Sequence, residues 1–141
     1  MKTVLLLCFS FAAGSLRAAD EPNPCALVTV AQLEATFGHL KGSAKPDVGL
    51  QKEKQCRYEN DEGNFLVFRV YPAARWGMQK GINSENNPTA LPGVGDEAFI
   101  VKKGTDKEIY ILKNDWILEL DSSVDSEKLK TIASAAAAKL P

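Results

Sequence analysis

The sequence is poor in the side chains that most often carry metal and nucleophilic chemistry. It contains one histidine, His39, and three cysteines, and protein zinc sites are built mainly from these two residue types. It also has no C-x-x-C pair and no G-x-S-x-G motif, so neither a dithiol redox site nor a serine nucleophile is indicated. We therefore expect no metal site, no cofactor and no catalytic residue that a motif would reveal.

A strong net charge and a long apolar run are also missing. The 17 basic and 18 acidic residues give a net charge of −1 without a basic cluster, which argues against nucleic acid as a partner. The apolar run at 4–13 is about half of the roughly 20 residues that a membrane-spanning helix needs. Lys2 before this run, with Ala18 and Ala19 after it, has the layout of a secretory signal peptide.

Residues 1–19 are therefore predicted to be a signal peptide, and residues 20–141 a single domain without an integral membrane segment. Cleavage would remove Lys2 and Arg17 and leave 15 basic and 18 acidic residues, a net charge of −3. Cys8 follows Leu6 and Leu7 rather than small residues, which disfavours lipid attachment. We expect an exported protein, either periplasmic or secreted.

Cleavage would leave two cysteines, Cys25 and Cys56. An exported chain with two cysteines most economically pairs them in a disulfide. The bridge would close a loop of about 30 residues and stabilise the fold by roughly 3 to 4 kcal/mol on the chain-entropy account. The alternative is a free redox or nucleophilic thiol.

Local signals divide the rest of the chain into helices and strands. Thr29, followed three residues later by Gln32, predicts a capped helix that ends at Gly38. Segment 39–55 is rich in Gly, Lys and Pro and is expected to be a loop. The elements expected after it are a hairpin at 55–71, a short helix at 72–82, a meander of E-A-F-I-V-K, E-I-Y-I-L-K and W-I-L-E-L-D, and an alanine-rich helix after Ser123.

This order predicts an α+β fold: helix, two strands, short helix, three strands and long helix, with a single antiparallel sheet of about five strands and helices packed on it. The second strand of the hairpin, F-L-V-F-R-V-Y, is largely apolar on both faces. It is expected to be a central strand covered on both sides; the alternative is an open face that meets a ligand or partner.

The stretch L-P-G-V-G-D-E-A-F-I has glycines but lacks the rest of a phosphate-binding loop. Asp96 and Glu97 follow Gly95 where a Walker loop has lysine and a hydroxyl residue, and two carboxylates would repel phosphate. We expect a structural turn instead. Pro92 would fix one backbone angle, Gly93 and Gly95 would adopt positive φ, and Asp96 would accept hydrogen bonds from nearby backbone groups.

Two aromatic residues, Trp76 and Tyr71, are candidate ligand contacts. Trp76 lies in a segment with glycine and proline that suggests partial exposure, and Tyr71 is one of the tyrosines that could line a ligand groove. Aromatic side chains at such positions more often pack in a core. A concave pocket lined by Trp76 and strand aromatics would favour a small ligand.

Three motifs and the closing helix resemble exported bacterial domains of the domain-of-unknown-function family 3558 and its relatives. The motifs are P-C-A-L-V-T-V-A-Q-L-E-A-T-F-G, C-R-Y-E and L-P-G-V-G-D-E-A-F-I, and the resemblance spans most of residues 20–141. It implies a secreted or lipid-anchored α+β domain with no established catalytic residues. It also implies that Cys25 pairs with Cys56 and that Gly93, Gly95 and Asp96 shape a turn. The chain lacks the lipobox of the lipid-anchored members.

We expect a non-enzymatic exported binding domain that acts in the cell envelope or outside the cell on an unknown protein or small molecule. One alternative is an inhibitor of a secreted or envelope hydrolase, for which an acidic loop at 84–87 or 102–107 would protrude. The other is a small hydrolase, for which two close carboxylates with raised pKa would lie in a deep cleft. The sequence does not indicate an oligomeric state.

Overall fold

Seven strands form one antiparallel sheet in the computed structural model, which describes residues 20–141. The predicted signal peptide at 1–19 lies outside these residues. The spatial order is β1-β2-β3-β7-β6-β5-β4. The strands are β1 Lys45–Val48, β2 Lys54–Glu59, β3 Phe65–Pro72, β4 Thr89–Ala90, β5 Glu97–Lys103, β6 Asp106–Lys113 and β7 Trp116–Ser122.

Three α-helices pack on this sheet: α1 Val30–Phe37, α2 Trp76–Asn83 and α3 Ser126–Lys139. Short 3-10 turns precede α1 at Pro24–Ala26, precede α2 at Ala73–Arg75 and follow α2 at Ser84–Asn86. Within residues 20–141, none of the helices is long and apolar enough to cross a membrane.

The prediction of about five strands is wrong, because the sheet has seven, and the predicted element order lacks two of them. Strand β1 lies inside segment 39–55, which was predicted to be a loop, and β4 lies between α2 and the glycine turn. All four residues of β1 and both residues of β4 are exposed. Both are edge strands, so neither shows the apolar alternation of a half-buried strand, and β1 tolerates Pro46.

The predicted helix caps are present in α1. The Thr29 hydroxyl accepts a hydrogen bond from the Gln32 backbone N–H at 3.2 Å, and the Gln32 side chain accepts one from the Thr29 N–H at 2.9 Å. Gly38 ends the helix with φ +96°. His39 follows, with Nδ1 2.9 Å from the Glu34 carboxylate. The capping box and the glycine together set the length of α1.

A disulfide ties the segment before α1 to the sheet. The sulfur atoms of Cys25 and Cys56 lie 2.11 Å apart and the Cα atoms 5.2 Å apart. Cys56 is fully buried in β2, and the Tyr58 hydroxyl donates to the Cys25 carbonyl at 3.3 Å. The bridge therefore holds the lead-in to α1 against the second strand.

Replacing both residues, Cys25→Ala with Cys56→Ala, is expected to lower the free energy of unfolding by about 3 kcal/mol, because the unfolded chain regains the freedom of the closed loop. Urea unfolding of the non-reduced proteins measures the loss. Reductant should shift the unreplaced protein by a similar amount and leave the double variant unchanged. Equal stability of the two proteins would show that the bridge does not form.

The two faces of the sheet are covered differently. On one face, called the helix face below, α1 and α3 pack on the central strands. The predicted stripe of α3 is buried there: Leu129, Ile132, Ala133, Ala136 and Leu140. On the opposite face α2 covers a smaller apolar cluster that includes Trp76, Phe99 and Tyr110. The second strand of the predicted hairpin, β3, is thus central and contributes to both clusters.

Candidate functional site

The two candidate ligand contacts lie together, but inside the layer between α2 and the sheet. Trp76 is 7% exposed and Tyr71 is 5% exposed. The Trp76 ring lies 5.4 Å from that of Phe99, which stacks on Tyr110 at 5.0 Å. Little ring surface of Trp76 or Tyr71 is left for a ligand, and their role as ligand contacts stays a prediction.

The indole of Trp76 also anchors the start of β5. Its N–H donates to the Glu97 carboxylate at 2.7 Å, and Lys80 approaches the same carboxylate at 3.2 Å. These two contacts, the indole hydrogen bond first, lower the pKa of Glu97. Trp76 therefore fixes the position of α2 on the sheet.

The glycine turn connects β5 to the β6–β7 turn. Gly93 and Gly95 have φ of +81° and +63°. The Asp96 backbone N–H donates to the Leu112 carbonyl at 2.8 Å, and its carboxylate accepts from the Asn114 backbone N–H at 2.7 Å. Pro92 precedes these residues and is exposed. The contacts of Asp96 tie the start of β5 to the end of β6 and to the β6–β7 turn.

A network of charged side chains occupies the face opposite the helix face, beside the apolar cluster. Arg69 of β3 bonds the carboxylate of its cross-strand neighbour Glu119 and lies 3.5 Å from that of Asp121. The Tyr71 hydroxyl donates to Glu119 at 2.9 Å. Glu108 faces Asp121 across β6 and β7. We call Arg69, Glu108, Glu119 and Asp121 the ion network.

Burial raises the pKa of both acids that Arg69 contacts. For Glu119 burial is the largest influence, and the opposing influence of Arg69 does not cancel it. For Asp121 burial again leads, and the negative charge of Glu108 adds to the rise. The ion network thus holds close carboxylates with raised pKa, as the hydrolase alternative requires.

The carboxylates of the ion network are already engaged by the protein. Glu119 is 5% exposed and is bonded by Arg69 and Tyr71. Glu108 accepts from the Tyr110 hydroxyl at 2.6 Å and pairs with Lys103 at 2.6 Å. No group of three His, Cys, Asp or Glu side chains among the residues described is arranged to hold a metal ion. These contacts fit a structural role for the network.

A concavity of about 650 Å³ lies on the helix face where β4 and β5 form the edge of the sheet. One wall is Glu85, Asn86 and Asn87, after α2, with Thr89 of β4; the other residues are Ile100 and Lys102 of β5 and Ser126 and Lys130 of α3. We call these eight residues the edge groove. Its volume is about twice the 340 Å³ of the cavity between α2 and β5.

The edge groove is lined by hydrogen-bonding side chains of several kinds. It contains two amides, two hydroxyls, two lysines and one carboxylate, and Ile100 supplies an apolar surface. Lys130 pairs with Glu127 at 2.8 Å, whereas Lys102 has no ion-pair partner within residues 20–141. Asn87 has a left-handed backbone, φ +49°, which turns the chain toward β4. The groove can therefore meet both donors and acceptors of a ligand.

The sequence predicted no ligand contact among these residues. Segments 84–87 and 102–107 enter the sequence-based expectations only as loops of the inhibitor alternative, and Ser126 and Lys130 belong to a helix that its apolar stripe predicts. Polar residues in loops and at helix surfaces carry no periodic signal. Only the pairing of β4 with β5 places the two segments side by side.

Comparison with protein-family models gave no match, and neither did comparison with curated proteins. Among solved structures, a chain described as a GTP binding regulator from Thermotoga maritima is similar, with a TM-score of 0.49 and 13% sequence identity. The match covers 81% of this chain and 91% of that chain. A likeness of this degree carries no argument about function.

Proposed function

We propose that this protein is a non-enzymatic exported domain that binds a polar ligand in the edge groove. The carrying observation is the convergence of polar and charged side chains from three separate parts of the chain around one concavity of about 650 Å³. A concave site with a few convergent polar groups is the usual form of a ligand site. Trp76 and Tyr71, which lie in the α2 layer on the opposite face of the sheet, would support the fold.

Export is part of this proposal. It is supported by the signal-like sequence at 1–19 and by the Cys25–Cys56 pair, since disulfides persist in oxidising compartments. The resemblance to domain-of-unknown-function family 3558 rests on the quoted motifs and points the same way. The protein would act in the periplasm or outside the cell.

The inhibitor alternative has less support. It needs a protruding acidic loop, but Glu85 and Asn86 of the 84–86 turn line the wall of the edge groove. The β5–β6 connection at 102–107 carries three lysines beside one aspartate. Neither segment has the charge and the position that the alternative requires.

The hydrolase alternative is also weaker, although the ion network holds carboxylates with raised pKa. The network lies on the opposite face of the sheet from the edge groove, and its carboxylates bond Arg69, Tyr71, Tyr110 and Lys103. The edge groove itself has a single carboxylate, Glu85. A general acid and a general base are thus not brought together beside the cavity.

A variant that fills the groove tests the proposal. Thr89 is exposed on β4, and Thr89→Trp should block the cavity without disturbing the core. The protein is incubated with clarified envelope extract that has not been dialysed, then washed and denatured, and the small molecules and peptides released are identified by mass spectrometry. At least one compound should be retained about tenfold more by the original protein than by Thr89→Trp.

Ser134→Trp is the matched control, because Ser134 is an exposed residue of α3 outside the groove. It should retain the same compounds as the original protein. All three proteins should unfold at similar temperatures. Identical retention by the original protein and Thr89→Trp would contradict a ligand site in the edge groove.

A further inference from the structure

Building on the proposed function, we infer that the ligand of the edge groove is a short extended peptide that carries a carboxylate. Its main chain pairs with Lys102 at the free edge of β5, and its carboxylate is bound by the lysines of the groove. Two observations support this ligand class, one from the backbone of β5 and one from the side chains around it.

The backbone observation is that β4 covers only part of β5. Thr89 and Ala90 pair with Ile100 and Phe99, and the Leu91 N–H donates to the Ala98 carbonyl at 2.9 Å. Backbone groups of an antiparallel strand point alternately to its two neighbours. Ala98, Ile100 and then Lys102 therefore direct their N–H and C=O groups toward the outer edge.

At Lys102 this edge is open. In the described part of the chain, β5 continues to Lys103, but no strand pairs with it beyond Ile100 on the β4 side. Asn87, which would come next to Lys102, has a left-handed backbone and leaves the line of β4. A peptide in the groove can take the vacant place and add main-chain hydrogen bonds to the sheet edge.

The side chains of the groove favour a peptide over other polar ligands. Lys102 can bind a carboxylate by a charge-assisted hydrogen bond, and Lys130 can exchange its pair with the exposed Glu127 for the same carboxylate. The amides of Asn86 and Asn87 each offer both donors and an acceptor, which matches the N–H and C=O groups of a peptide. These lysines and asparagines are spread along one concavity. The N–H, C=O and carboxylate groups of an extended peptide are likewise spread along its length.

Two other ligand classes fit less well. Glu85 in the groove, with Asp125 and Glu127 at the start of α3, would repel a compact multiply charged anion such as phosphate. A flat aromatic ligand would lack stacking partners, because none of the described residues lining the groove is aromatic. A single carboxylate on a neutral main chain is repelled less by these acids than a multiply charged anion is, and it needs no stacking partner.

The test is an NMR titration of the isotope-labelled protein, purified after export, with four peptides. They are acetyl-tetraalanine with a free carboxylate, its C-terminal amide, the amide with one alanine replaced by aspartate, and the free acid with N-methylated central residues. A carboxylate-bearing peptide should shift the Lys102 amide resonance in a saturable manner. The neutral amide and the N-methylated peptide should each bind about tenfold more weakly.

The two carboxylate sources are distinguished by the first and third peptides. Binding of the free acid assigns the groove to a C-terminal carboxylate, and binding of the aspartate peptide assigns it to an acidic side chain. Lys102→Met with Lys130→Met should weaken the binding about tenfold. Lys128→Met, an exposed position of α3 outside the groove, should leave it unchanged.

Equal binding of the free acid and the neutral tetraalanine amide, or no shift at Lys102 with any peptide, would overturn the inference. If Thr89→Trp still abolished retention of a compound from the extract, the binding function would stand and only the peptide class would fall. If no peptide bound in the titration and Thr89→Trp retained the same compounds as the original protein, the edge groove would not be a ligand site.

Discussion

Gly95→Val is expected to lower the free energy of unfolding by at least about 2 to 5 kcal/mol. A Cβ atom at Gly95 would lie 2.6 Å from the Cγ2 atom of Ile111 and 2.6 Å from the Leu112 carbonyl oxygen. The carbonyl belongs to β6, so relief of the contact requires movement of the sheet backbone. The residue also has φ +63°, a region that costs an L-residue about 1 to 2 kcal/mol and a β-branched residue more.

Together with overpacking of about 1 to 3 kcal/mol, the backbone strain at Gly95→Val amounts to at least about 2 to 5 kcal/mol, a large part of the stability of a small protein, which is about 5 to 15 kcal/mol. Circular dichroism with thermal unfolding measures the effect. Gly95→Ala should be intermediate. A cooperative transition of Gly95→Val at the temperature of the original protein would contradict the role given to this turn.

Gly93→Ala is the matched control for the turn. Gly93 also has positive φ, +81°, but an added Cβ would meet nothing within 4 Å. Only the backbone cost applies, so the expected loss is about 1 kcal/mol. The difference between Gly93→Ala and Gly95→Ala separates the close approach to β6 from the conformational freedom of glycine.

Arg69→Met is expected to lower the free energy of unfolding at pH 7 by about 3 to 5 kcal/mol. Arg69 is the cation that both Glu119 and Asp121 contact. Its removal leaves the buried charge of Glu119 without a positive partner. Loss of one partner of a buried ion pair is strongly destabilising because the remaining charge stays buried and uncompensated. Chemical denaturation at pH 7 gives the loss directly.

The effect of Arg69→Met should depend on pH in a definite direction. Burial already holds the pKa values of Glu119 and Asp121 above their usual range, and Arg69 opposes that rise. An acid with a raised pKa in the folded state favours folding when protonated, and this stability is lost as the pH rises through the folded pKa. Without Arg69 both pKa values rise further. The pH range over which deprotonation of these acids lowers the free energy of unfolding therefore extends closer to neutral pH.

The difference between Arg69→Met and the original protein should thus be largest at pH 7 and shrink as the pH falls toward about 4.5. A constant difference over this range would contradict the account. Adding Glu119→Leu to Arg69→Met should restore much of the stability, since an apolar pair can replace a buried ion pair. Arg57→Met, which removes an exposed arginine over the Phe65 ring, should cost less than about 1 kcal/mol.

Elements with short-range chemical signals could be predicted from the sequence. The capping box of Thr29 and Gln32 sets the start of α1, and the stripe of Leu129 and Ile132 sets the buried side of α3. The strands β2, β3 and β5–β7 have apolar residues that the core requires. Strands β1 and β4 could not be predicted, because an exposed edge strand is held by backbone hydrogen bonds that any sequence can make.

The candidate sites were harder to predict for the same physical reason. Arg69 and Glu119 lie 50 residues apart and meet only because β3 pairs with β7. The edge groove joins Glu85, Lys102 and Lys130 through a two-residue strand that has no sequence signal. Trp76 can be selected from the sequence as a candidate ligand contact, but its ring is buried in the apolar cluster between α2 and the sheet. Side chains brought together by long-range pairing leave no local pattern.

The strand order also has a consequence for how the chain folds. Strands β1, β2 and β3 pair with their neighbours along the chain, and so do β4, β5, β6 and β7. The β3–β7 ladder alone joins the two groups, and closing it must overcome the entropy of a long loop. Two locally formed sheets should therefore meet in a late and slow step, and the Arg69–Glu119 pair, which lies on that ladder, would favour the correct register as they join.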